Sequence, residues 1–125
     1  MSEKTKPEID FPGDTPPGDL ELYDYEIGEG SEATPGATIS AHYVGVSWST
    51  GEEFDASWNR GEPLRFQVGV GQVIQGWDEG LIGMRVGGRR RITIPPHLGY
   101  GDRGAGNVIK GGETLIFVVD LEDVA

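Results

Sequence analysis

Tyr43, Phe54, Phe66, Trp77, Tyr100 and Phe117 all fall beside glycine-punctuated stretches of a 125-residue chain. Aromatic side chains in that setting can wall an apolar cavity and lend it a phenolic hydroxyl, although the same residues also serve as ordinary core. Phe66 is read as core. Glu52, Glu53 and Asp55 form a carboxylate cluster of the kind that acid–base catalysis uses. Beside Thr50-Gly51 the two glutamates read as turn residues, which leaves Asp55 as the carboxylate to follow.

Other chemistry finds little support. The sequence has no cysteine, so disulfides, thiolate nucleophiles and cysteine-bound metals are excluded. His42 and His97 are its two histidines, and neither belongs to an HExxH or comparable ligand cluster. The stretches GVGQVIQG (69–76) and GYGDRGAG (99–106) lack the GK[ST] of a phosphate loop, and no GxSxG elbow is present. No metal and no cofactor are expected.

The formal charge is −11, concentrated in residues 1–32, where ten acids face Lys4 and Lys6. A field of that sign repels phosphate backbones and anionic lipid, so neither nucleic acid nor a membrane is expected as partner. Arg89-Arg90-Arg91, with Arg85 nearby, reads as a solvated strand and turn edge. No apolar run approaches a membrane span and the first residues lack a signal-peptide core. The expectation is a cytoplasmic monomer.

The elements that must position the aromatics are short. Residues 1–19, with Pro7, Pro12, Pro16 and Pro17 and only Ile9 and Phe11 as large apolar residues, predict a flexible acidic tail with local contacts at best. From Leu20 onward β-like runs alternate with glycine. In Thr114–Val124, Leu115, Phe117, Val119 and Leu121 share one face; in Thr38–Val46, Ile39, Ala41 and Tyr43 do; Leu64, Phe66 and Val68 repeat the pattern, as do Arg90, Ile92 and Ile94 before Pro95-Pro96. One helix is expected, over Gln75–Ile82, from Trp77, Leu81 and Met84 at spacings of four and three. One short helix against one sheet makes an α+β domain over residues 20–125, of a length that supports a single core.

Five segments, AHYVG (41–45), GEEFDAS (51–57), GQVIQGWDEGL (71–81), LGYGDRGAG (98–106) and TLIFVVDL (114–121), closely resemble the FKBP family of peptidyl-prolyl cis/trans isomerases in order and spacing. The resemblance covers residues 20–125. It implies an antiparallel sheet of about five strands curled around one short helix, and prolyl isomerase activity on proline-containing polypeptides in an aromatic pocket.

Carried over by matching segment, the resemblance implies that Trp77 is the floor of a proline pocket, with Tyr43, Phe54 and Phe117 as walls and Val73 and Ile74 as an aliphatic rim. Tyr100 would donate its hydroxyl to a substrate carbonyl, the Ile74 N–H would donate to another, and Asp55 would accept a hydrogen bond from Tyr43. Leu64 stands where the family usually has an aromatic. Val108 and Ile109 would complete the ligand-binding set from the loop that carries Ala105 and Lys110-Gly111 in place of the family's frequent residues. Macrolides of the tacrolimus and rapamycin type are the implied ligands. Two alternatives stay open at this point: a binding module of the same fold that turns over slowly, and an acidic front whose interactions are the function.

Overall fold

A computed structural model describes residues 5–9, 15–106 and 108–125. The strands are β1 (Glu21–Glu26), β2 (Thr38–Ser47), β3 (Glu53–Ala56), β4 (Leu64–Gln67), β5 (Arg89–Ile94) and β6 (Leu115–Val124), with a helix α1 (Gln75–Gly80) between β4 and β5. They make one antiparallel sheet in the order β1-β5-β6-β2-β3, with β4 also paired to β2.

The difference between about five strands expected and six observed has a simple origin. β3 pairs with Val44–Val46 and β4 with Thr38–Ala41, so both occupy the same edge of β2. A 3-10 turn over Ser57–Arg60 breaks that lane in two, and its terminal Gly61 takes a φ of 76°, where glycine carries no steric cost.

Alternation places the core. Leu115, Phe117, Val119 and Leu121 of β6 face inward with Ile39, Ala41 and Tyr43 of β2, Phe66 and Val68 beside β4, and Ile92 and Ile94 of β5. Each such side chain contributes about 1.5–3 kcal/mol on full burial. A smaller cluster, Val44, Val46, Ala56 and Ile116, forms on the outer face and is covered by Ile9, Trp48 and Trp58.

At six residues α1 is too short to persist on its own and depends on packing. It lies close on β5 because Gly76 meets the sheet without a side chain: a Cβ there would sit 2.6 Å from Ile94 Cγ2. The helix ends at Gly80, two residues before the expected Ile82, with the Leu81 N–H still bonded to the Trp77 carbonyl. Arg90 Nη1 then donates to the orphaned carbonyls of Gly80 (2.8 Å) and Ile82 (3.2 Å).

The arginine run is a solvated edge only in part: Arg91 and Arg85 are exposed, whereas Arg89 and Arg90 are half-buried and paired. Arg89 Nε donates to the fully buried Asp120 carboxylate at 2.6 Å, Arg90 pairs with Asp24 at 2.7 Å, and Arg91 lies 5.4 Å from the Tyr23 ring centre and 5.9 Å from that of Tyr25. β1 carries its acids and tyrosines on the sheet edge and supplies the partners of Arg90 and Arg91, while β6 supplies that of Arg89.

Residues 1–4 and 10–14 of the expected tail lie outside the described residues. The described part makes long-range contacts: Arg89 donates to the Thr5 carbonyl, Lys6 reaches Glu53 at 2.8 Å and Asn59 at 2.9 Å, and Ile9 packs on the outer cluster.

Candidate functional site

Trp77 stands on α1 with its indole 4% exposed, at the base of a cavity of about 450 Å³. Tyr43 from β2 meets it edge-on with ring centres 4.9 Å apart, and Phe117 from β6 does so at 5.2 Å. Phe54 from β3 abuts Phe117 at 5.5 Å and 89°. Edge-to-face contacts of this kind each add about 0.5–1.5 kcal/mol beyond burial and fix the rings in place. Phe66 backs Trp77 at 5.5 Å from within the core and does not line the cavity.

The close approach of Phe54 and Phe117 requires Gly45. In the sheet register Gly45 lies opposite both Phe117 and Asp55. A Cβ at that position would come within 2.7 Å of Phe54 Cζ and of Phe117 Cε1, so two aromatic walls rest on one missing side chain.

At the polar end Tyr43 Oη donates to Asp55 Oδ2 at 2.5 Å. Arg60, on the turn after β3, donates to Asp55 Oδ1 at 2.9 Å and to Tyr43 Oη at 2.8 Å, which closes a three-membered network. Burial acts to raise the Asp55 carboxyl, but the hydrogen bonds from Tyr43 and Arg60 outweigh it and hold the group below the ordinary carboxylate range. Tyr43 moves the other way: desolvation, then its bond to Asp55, raises the phenol. Asp55 is therefore an ionised acceptor held by the side chains of Tyr43 and Arg60 and by the Ala56 backbone, and orients Tyr43 and Arg60 without a proton to exchange.

Besides the buried Trp77 Nε1, which has no partner among the described residues, two donors of residues lining the cavity are unengaged. The Tyr100 hydroxyl bonds to no described residue, and burial, followed by the charge of Asp55, raises its pKa so that it keeps its proton. The Ile74 N–H precedes the first turn of α1 and has no acceptor among the described residues, while the Ile74 carbonyl takes the N–H groups of Trp77 and Asp78.

Of the residues picked out in the sequence, Tyr43, Phe54, Asp55, Leu64, Val73, Ile74, Trp77, Tyr100 and Phe117 line this one cavity. Val108 and Ile109 do not. Ile109 is 4% exposed within the main core, where its N–H and carbonyl tie the turn to Ala105. Val108, 63% exposed, borders a separate polar concavity on the far side of Phe54.

Arg60, Gly71 and Gln72 belong to the site and were not singled out from the sequence. Arg60 follows Asp55 by five positions on an exposed turn, a spacing that carries no periodic signal. Gly71 and Gln72 sit within GQVIQGW and could have been found by extending the rim from Val73. Among the described residues no group of three or more His, Asp or Glu is placed to hold a metal ion. What the geometry offers is an apolar slot for a small ring, with two hydrogen-bond donors at its mouth for carbonyl oxygens.

Comparison with known proteins agrees with this geometry. Residues 29–122 match the family described as FKBP-type peptidyl-prolyl cis-trans isomerase. The chain is 66% identical to an FK506-binding protein of Streptomyces anulatus over 117 residues, covering 93% of this chain and 94% of that protein. It is 51% identical to the chloroplastic peptidyl-prolyl cis-trans isomerase FKBP13 of Arabidopsis thaliana, over 80% of this chain and 50% of the other. The crystal structure of AtFKBP13 superposes with a TM-score of 0.80 at 42% identity, covering 88% of this chain and 96% of that one.

Proposed function

The chain belongs to the FKBP-type peptidyl-prolyl cis-trans isomerase family, and from that premise we propose that its Trp77 cavity accelerates rotation about X–Pro bonds in proline-containing polypeptides during folding. On this reading the protein works as a cytoplasmic monomer, and the same cavity takes macrolides of the tacrolimus (FK506) and rapamycin type. The observation that carries the proposal is the pairing of an aromatic floor, Trp77, with two unengaged donors, Tyr100 Oη and the Ile74 N–H, at one cavity. The FK506-binding name of the Streptomyces relative supports the macrolide part.

The chemistry follows from the amide. Rotation about X–Pro is slow because resonance must be broken, a barrier of roughly 18–20 kcal/mol. In the twisted state the nitrogen is no longer conjugated and the amide is less charge-separated. An apolar wall therefore disfavours the planar form more than the twisted one. Trp77, Tyr43, Phe54 and Phe117 hold the pyrrolidine ring, and the donors fix a flanking carbonyl while the preceding one swings. A gain of about 10⁴–10⁶ in rate corresponds to roughly 5–8 kcal/mol of differential stabilisation. No proton is transferred, which suits an Asp55 already committed to Tyr43 and Arg60.

Exchange NMR on an Xaa-Leu-Pro-Phe peptide tests this, with the protein far below stoichiometry. The proposal expects cis–trans exchange well above the uncatalysed rate. Exchange at the uncatalysed rate would leave a module that binds proline segments without turning them over.

A further inference from the structure

Ile74 is the N-cap of α1, and its carbonyl takes the N–H groups of Trp77 and Asp78, so the helix's first turn places the Ile74 N–H beside Trp77. The rest of the rim needs another tie, since residues 69–73 carry no regular structure. The segment turns twice through left-handed glycines, Gly69 at φ 81° and Gly71 at φ 82°. Both of the corresponding N–H groups reach the same side chain: Gly69 N donates to Asp78 Oδ1 at 2.8 Å and Gly71 N to Asp78 Oδ2 at 2.9 Å. Asp78 is the residue after Trp77, so the carboxylate that grips the loop and the indole that floors the cavity ride on one turn of helix.

A second tie works from the strand side. Gln72 Oε1 accepts the Gln67 N–H at 2.9 Å, joining the loop to the end of β4. Gly71, Gln72, Val73 and Ile74 all face the cavity, so the held segment is its rim.

We infer that Asp78 is a positioning residue for this site: its two carboxylate oxygens lock the 69–73 rim to the helix that carries Trp77, and so set how closely Gly71, Gln72 and Val73 approach the ring floor beside the Ile74 N–H that receives a substrate or macrolide carbonyl. The inference rests on the proposed prolyl site. A carboxylate is suited to the task because both oxygens only accept. The isosteric amide of Asp78→Asn offers one acceptor and turns an NH₂ toward the other glycine N–H, which opens the rim at one anchor without changing the size of the side chain.

Losing one such anchor is expected to lower kcat/KM and tacrolimus affinity by about three- to tenfold, the range of one hydrogen bond converted to a ratio. Amide hydrogen exchange at Gly69 and Gly71 should quicken in the same variant. Asp78→Glu keeps both acceptors and should recover most of the loss. Glu79→Gln, which alters a carboxylate bonded to the Gln75 side chain (2.6 Å) on the next helix position, should leave both quantities at wild-type values.

A carboxylate that merely stabilised the first turn of the helix would lower the melting temperature and leave kcat/KM and tacrolimus affinity unchanged well below it. Wild-type kcat/KM and affinity in Asp78→Asn, with Gly69 and Gly71 exchanging faster, overturn the inference. So does an Asp78→Glu variant as impaired as Asp78→Asn. A wild-type protein that neither accelerates exchange nor binds tacrolimus would instead defeat the proposed function, whereas the loop amides would still report whether Asp78 holds the rim.

Discussion

Replacing Tyr43 with phenylalanine removes a single oxygen from the cavity, and the structure specifies what that oxygen does. It donates to Asp55 at 2.5 Å and accepts from Arg60 at 2.8 Å, while the ring itself keeps its edge-on contact with Trp77. A hydrogen bond to a charged group contributes about 1.5–3 kcal/mol when shielded. Here the Asp55 side chain is 43% exposed and that of Arg60 49%, so solvent screening reduces the figure to about 1 kcal/mol. For a domain of this size that is a fall in Tm of roughly 3–5 °C. The pH dependence distinguishes this origin from simple loss of packing. A carboxyl held below its unfolded value contributes stability that is present above that value and disappears as the pH falls through the folded one. Tyr43 is the first of the donors that depress Asp55, so the deficit of Tyr43→Phe should be full near neutrality and shrink as the pH drops below the ordinary aspartate value of 3.8. Urea denaturation of both proteins between pH 7 and pH 3 reads this directly. A deficit of the same size at every pH would refute the assignment of Tyr43 to an ionised Asp55.

Other substitutions probe separate parts of the account. Gly45→Ala should destabilise the fold by about 1–3 kcal/mol in chemical denaturation and reduce kcat/KM, because its Cβ forces Phe54 and Phe117 apart. Tyr100→Phe should weaken tacrolimus binding, measured calorimetrically, by one hydrogen bond or about 0.5–1.5 kcal/mol, while the melting temperature stays put because the hydroxyl has no described partner within the protein. Ile109→Ala should do the reverse, removing about 2–5 kcal/mol of stability with turnover retained at low temperature, since that side chain belongs to the core and not to the cavity.

How much of this was legible in the sequence depends on whether the signal was local. Strand β6 was plain because Leu115, Phe117, Val119 and Leu121 face one buried layer and the alternation survives in composition. Strand β1 was not, since all six of its residues are exposed and no apolar period marks them. The Gln75–Ile82 helix was placed to within two residues, its end being set by Arg90, a side chain arriving from another strand. Eight of the nine site residues that line the cavity, all but Leu64, were legible because they sit in segments whose order and spacing match a known family. Arg60 escaped notice because its partners lie five and seventeen residues away, across a turn and a strand. Val108 and Ile109 do not line the cavity in this structure, since correspondence along the chain does not say which way side chains point. The pairing of Arg89 and Arg90 was not legible because Asp120 and Asp24 are remote in sequence.

The central claim is that one cavity, floored by Trp77, both turns over X–Pro bonds and takes the macrolide. Prolyl isomerase turnover measured in a protease-coupled assay during titration with tacrolimus, for the native protein and for Trp77→Ala, tests it most directly. The account predicts that the native protein accelerates isomerisation, that one equivalent of tacrolimus abolishes the acceleration, and that Trp77→Ala loses turnover and inhibitor binding together. Turnover that persists under saturating tacrolimus, or that survives in Trp77→Ala, would contradict it.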